Sequence, residues 1–129
     1  MLITYLGGMK LLATHTGFEV LADQPTDQGG DNAAMTPTQL FVASLAMCVG
    51  TYVLFFAKRH SIPVEGMRIE TDYQMAKDPY RVGAIQVKVL MPAPVSDAHL
   101  SALQRAAETC VVHNAFHHPP ATSITVTAP

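Results

Sequence analysis

The chain has 129 residues, long enough for one domain with a buried core and short for more than one. Apolar residues make up 49% and charged residues only 14%, below the quarter or so usual in soluble domains, so little charge is present to cover the apolar surface and a subunit interface, most simply that of a homodimer, is expected. The net charge of −2 without a Lys/Arg cluster argues against a nucleic-acid partner, and two cysteines are too few for a secreted disulfide scaffold.

Residues 1–35 read as N-terminal strands followed by a loop. Leu2–Leu6 is a strand, and Gly7-Gly8 suits the positive φ angles of a tight turn. Met9–Thr14 returns, Thr16-Gly17 turns the chain again, and Phe18–Ala22 is a third strand. The start of the chain lacks a basic segment followed by an apolar one, so no signal peptide is read and a cytoplasmic location is expected. A polar, Gly-rich loop then leads to Thr36, a helix N-cap, with Pro37 in the first helical position, where its missing N–H costs nothing. The central helix occupies residues 36–62, running to about His60 and stopping before Pro63. Its stretch Leu40–Ala57 carries no charge, which meets the minimum for a membrane span. Ser44, Gly50, Thr51 and Tyr52 within it, and the capping sequence before it, favour a buried central helix of a protein with no membrane partner.

Residues 63–92 read as a strand pair. Met67, Ile69, Thr71, Tyr73 and Met75 alternate with Arg68, Glu70, Asp72 and Gln74. Asp78-Pro79 turns, and Ile85, Val87 and Val89 alternate with Gln86 and Lys88. In residues 96–129, Ser96 caps a second helix with the apolar stripe Leu100, Leu103, Ala107 and Cys110. Val111–Phe116 forms a further helical turn that Pro119-Pro120 ends, and Ile124 and Val126 mark a last strand. No linker or repeat interrupts this order, so residues 1–129 read as a single α+β domain, with antiparallel sheets packed around the long central helix.

The chemistry centres on the two cysteines. Cys48 lies within the uncharged helix, and Cys110 opens Cys110-Val111-Val112-His113-Asn114. A single buried thiol is usually inert filler. Two thiols in distinctive contexts, each expected to face the interior, point instead to a redox pair that meets only in the fold. Spacings of four and three place Phe41, Leu45, Cys48, Tyr52 and Phe55 on one helix face, so Phe41, Leu45 and Tyr52 are the expected lining of an apolar substrate pocket. The reading is a thiol peroxidase: a Cys48 thiolate attacks the O–O bond of an organic hydroperoxide, Cys110 condenses with the resulting sulfenic acid, and a small dithiol reductant restores both thiols.

Pro37-Thr38-Gln39-Leu40-Phe41-Val42-Ala43-Ser44-Leu45-Ala46-Met47-Cys48, followed by Cys110-Val111-Val112-His113-Asn114, resembles the OsmC/Ohr superfamily. The Asp78-Pro79-Tyr80-Arg81 turn and Pro119-Pro120 fit as well, so the resemblance covers nearly the whole chain. It implies an OsmC-like fold, an intertwined homodimer with active sites at the subunit interface, Cys48 as the peroxidatic residue and Cys110 as the resolving residue. The family's peroxidases carry a Glu shortly before the first cysteine and an Arg from the N-terminal region. Here Pro37-Thr38-Gln39 has no carboxylate, and no Arg precedes Arg59. Lys10 and His15 on the N-terminal strands, and His113 beyond Cys110, are the substitutes to consider as thiolate activators.

Two other classes compete. Cys110-x-x-His113-x-x-x-His117 with Cys48 has the composition of a two-sulfur, two-nitrogen zinc set, but Pro119-Pro120 ends the helix early and no CxxC pair accompanies it, so no metal and no cofactor is expected. Without the family's charged activators, the chain could instead bind a small apolar ligand or sense oxidation without turnover.

Overall fold

The computed structural model describes all 129 residues. Strands β1 (Leu2–Tyr5), β2 (Leu11–His15) and β3 (Phe18–Ala22) are followed by a 3₁₀ turn at Thr26–Gln28 and the long helix α1 (Pro37–Arg59). Then come β4 (Arg68–Ala76), β5 (Arg81–Leu90), α2 (Asp97–Glu108) and α3 (Val111–His117). By their contacts, these elements fall into two compact units, residues 1–44 with 71–86 and residues 45–70 with 87–129.

In the first unit β1, β2 and β3 form an antiparallel meander in which Leu2 faces Thr14 and His15 faces Phe18. Its tight turns are those the sequence calls for: Gly7 and Gly8, then Thr16 and Gly17, all have positive φ. The loop that follows is organised by Asp23, which is only 1% exposed. One of its carboxylate oxygens accepts from the backbone N–H groups of Asp31 and Ala33, both at 3.0 Å. Those amides, led by Ala33, hold the Asp23 carboxyl below its ordinary range, with Gln24 and the Lys10 charge adding to the effect against the cost of burial. Helix α1 then starts in a reciprocal cap. The Gln39 amide N–H donates to Thr36 Oγ1 at 3.2 Å, and the Thr36 N–H donates to Gln39 Oε1 at 2.8 Å.

In the second unit the end of α1 is as sharply defined. Ser61 takes a left-handed conformation, φ 54°, the Ser61 N–H donates to Lys58 O at 3.4 Å, and the Ile62 N–H donates to Ala57 O at 2.9 Å. This pair of bonds satisfies carbonyls that the last turn would otherwise leave open, and turns Ile62 inward. Ile62 joins Val53, Ala57 and Leu103 in the buried core, with Met67, Val89 and Val95 packed around them. Gly50 lets the Ile69 side chain of β4 lie directly against α1, where a Cβ would collide with it. Helix α1 is the one helix long and apolar enough to cross a membrane, and its face bearing Val49, Val53 and Ala57 is buried within the protein.

The expected strand at Ile124 and Val126 is not formed: residues 118–129 carry no regular structure, and these two side chains are 93% and 91% exposed. Residues 118–129 join neither sheet, and two β-branched residues among small and polar neighbours have too little apolar surface to hold a strand alone. A second correction concerns α2. It ends at Glu108, so Cys110 does not lie on it, and Leu100, expected in its buried stripe, is exposed while Leu103 is buried. The stripe is therefore narrower than the sequence pattern suggests.

Candidate thiol site

The helix carrying Cys48 buries Val42, Leu45, Ala46, Val49 and Val53. Cys48 sits at the border of this buried stripe and is half-buried. The aromatic face predicted around it turns outward at its ends: Phe41 and Phe55 are exposed, Phe55 by 62%. Leu45 is buried, while Tyr52 is half-buried and meets Phe55 edge-on at 5.9 Å between ring centroids. The difference has a geometric cause. Residues four and three apart line one stripe of a helix, but whether that stripe faces the core is set by its neighbours, here the small Ala46, Val49 and Gly50 side. Leu45 and Tyr52 share the second unit with both thiols, whereas Phe41 belongs to the first.

Cys110 is the N-cap of α3. Its backbone is extended (φ −65°, ψ 145°), its side chain is completely buried, and its Sγ accepts the His113 backbone N–H at 3.2 Å. Cys48 lies near enough to Cys110 to act on its thiol. The fold thus brings two thiols 62 positions apart in sequence near each other within the second unit. Burial pushes the Cys110 thiol up from its ordinary value and Cys48 pushes it further, against the opposing pull of the His113 and Val112 amides. No side-chain cation is among the groups that set it. The site therefore pairs a partly accessible thiol with a sealed one that favours the protonated form.

The candidate activators are placed as follows. Lys10 gives its ammonium to Asp31, and that partner raises the Lys10 pKa. His15 ends β2 on the exposed side of the meander. His113 touches the thiol through its backbone amide, while its ring is turned elsewhere: Nδ1 lies 2.8 Å from the Glu108 carbonyl oxygen. Gln39, in the stretch Pro37-Thr38-Gln39 that lacks the family's carboxylate, spends its side chain on the Thr36 cap. That role was legible in the sequence as Thr36-x-x-Gln39, the spacing of a capping box. Asp23, a buried carboxylate that orders the loop before α1, had no such signal; nothing in Asp23-Gln24-Pro25 announces which amides its oxygens will meet. No group of three or more His, Cys, Asp or Glu side chains is arranged to hold a metal ion.

Comparison with known proteins places this architecture. The family model for OsmC-like proteins matches residues 29–125, a span that contains both cysteines. A crystal structure from Psychrobacter arcticus 273-4, of a protein named for an osmotic stress induced and detoxification response, is 30% identical with a TM-score of 0.83, over 88% of this chain and 84% of that one. An organic hydroperoxide resistance protein OsmC from Legionella pneumophila is 21% identical with a TM-score of 0.66, over 89% and 87% of the two chains, and shares the fold. A Vibrio cholerae organic hydroperoxide resistance protein, solved with captopril in one of its active sites, is 18% identical with a TM-score of 0.59, over 91% and 83%. Among proteins of curated function no similar sequence is found. The antiparallel sheets, the long helix with its cysteine, and the family match over residues 29–125 together show that the chain belongs to the OsmC-like protein family.

Proposed function

We propose that the protein is a two-cysteine thiol peroxidase that reduces organic hydroperoxides in oxidative-stress defence. The observation that carries this reading is the proximity of a half-buried Cys48 to a fully buried Cys110. A peroxide arriving from solvent meets Cys48 first, so Cys48 is the peroxidatic residue. Its thiolate attacks the outer peroxide oxygen, the O–O bond breaks, and the alkoxide leaves as the alcohol after taking up a proton. Cys48 is then a sulfenic acid. The neighbouring Cys110 sulfur attacks the Cys48 sulfur, a disulfide forms and water departs. A small dithiol reductant takes over the disulfide by exchange and returns both thiols. The apolar surround offered by Leu45 and Tyr52 favours a hydroperoxide with an organic body over hydrogen peroxide. The exposed Met47, Phe55, Ile124 and Val126, with the low charge of the chain, support a homodimer in which a second copy covers them, and a cytoplasmic setting supplies the reductant.

One set of observations favours a second reading, an apolar-ligand binder or oxidation sensor without turnover. Gln39 is committed to a cap, Lys10 to Asp31, and no cation acts on the Cys110 thiol. Steady-state reduction of cumene hydroperoxide with a dithiol separates the two. Peroxidase function predicts turnover in the natural chain, loss of at least 100-fold in Cys48→Ser, and in Cys110→Ser a single oxidation trapped as sulfenic acid or mixed disulfide. Full turnover in Cys48→Ser contradicts the assignment, and binding without turnover in the natural chain establishes the second reading.

A further inference from the structure

The spacing Cys110-x-x-His113-x-x-x-His117 with Cys48 reads in sequence as one four-residue metal set, and the fold divides it in two. The thiols lie near each other, and Cys110 is sealed from solvent. The histidines hold a separate arrangement, one turn apart on α3, with their Nε2 atoms 3.4 Å from each other and their rings near perpendicular at 77°. A carbonyl oxygen can only accept, so the 2.8 Å contact between His113 Nδ1 and Glu108 O puts the proton on Nδ1 and leaves the Nε2 lone pair free, facing His117. A backbone carbonyl on the far ring nitrogen is also the usual device that orients a metal-binding histidine. The 3.4 Å gap is long for an N–H···N hydrogen bond. It is the spacing set by a shared ion: two nitrogens at about 2.0–2.1 Å from a tetrahedral centre stand about 3.4 Å apart.

We propose that His113 and His117 form a two-point chelate for a divalent transition-metal ion of the Zn²⁺, Ni²⁺ or Cu²⁺ class. Imidazole nitrogen suits these ions, whereas Mg²⁺ and Ca²⁺ require oxygen ligands. His117 is exposed and His113 half-buried, so water reaches the remaining coordination positions. The site is separate from the thiol pair in its ligands and adjoins it through α3, whose first turn is held by the Cys110 sulfur.

The test is calorimetric titration of the reduced full-length chain with Zn²⁺, together with imidazole nitrogen NMR. The natural chain should bind one Zn²⁺ per chain at this site, with the His113 and His117 Nε2 resonances shifting together. His117→Gln and, separately, His113→Gln should weaken that binding at least tenfold, and the Cys48→Ser/Cys110→Ser double variant should keep it. Three results overturn the proposal: no binding to the natural chain, unchanged affinity in His117→Gln with unshifted Nε2 resonances, or loss of binding in the double cysteine variant, which would return the ion to the thiols.

Discussion

Replacing Cys110 by Ala and by Ser separates what its sulfur does for the fold from what it does for chemistry. The Sγ accepts the His113 N–H as the N-cap of α3 and is completely buried. Alanine removes both contributions. Losing an N-cap acceptor costs about 1 kcal/mol, and losing the contacts of a buried atom the size of a methylene costs about 0.8 kcal/mol, so Cys110→Ala should be destabilised by about 2 kcal/mol. Serine keeps the cap, since a hydroxyl oxygen is a better acceptor at this position than sulfur, and loses only the apolar contacts. Cys110→Ser should therefore lie about 1 kcal/mol above Cys110→Ala, which for a chain of this length is a gap of roughly 4 °C in Tm. Urea and thermal unfolding of the reduced variants, all at one protein concentration so that association does not enter, measure this directly. An alanine variant as stable as the serine variant would refute the capping role of the sulfur.

Two further predictions follow from the packing and the loop. Leu103 is 5% exposed in the core with Val53, Ala57 and Ile62, so Leu103→Ala should lose about 2–5 kcal/mol of unfolding free energy in urea; a loss under 1 kcal/mol would mean that this cluster is not the centre of its unit. Asp23 has its carboxyl pKa depressed in the folded chain by the Ala33, Gln24 and Asp31 amides and by Lys10. The unfolded chain therefore takes up the proton first as pH falls, so the contribution of Asp23 is fully present above about pH 4 and is lost as pH drops through the lower folded value. Stability of the natural chain should fall more steeply below pH 4 than that of Asp23→Asn, and parallel pH profiles of the two would contradict the assigned role.

The sequence made legible what depends on local chemistry. Thr36 and Pro37 announced the start of α1, Pro63 its end, and Ser96 the start of α2, because caps and prolines act within a few residues. The turns at Gly7-Gly8 and Thr16-Gly17 were readable for the same reason. Cys48 and Cys110 were expected to approach each other from their contexts, and Cys48 is among the groups that act on the Cys110 thiol. What was not legible depends on partners distant in sequence. The periodicity of α1 gave its stripes but not which one faces the core, so Phe55 was expected inside and lies outside. Cys110 fits the spacing of the α2 stripe, yet that helix closes at Thr109, whose N–H and hydroxyl both bond to Ala106 O, and a new helix begins. The alternating apolar pattern at Ile124 and Val126 reported strand propensity, while a strand also requires an edge, which no local pattern encodes.

The measurement that bears most directly on the central claim is intact mass and free-thiol count of the reduced, metal-free protein before and after one equivalent of cumene hydroperoxide. The account predicts loss of both thiols and a fall in mass of about two hydrogens, the signature of a peroxide-driven Cys48–Cys110 disulfide. Two intact thiols and an unchanged mass after that treatment would contradict it.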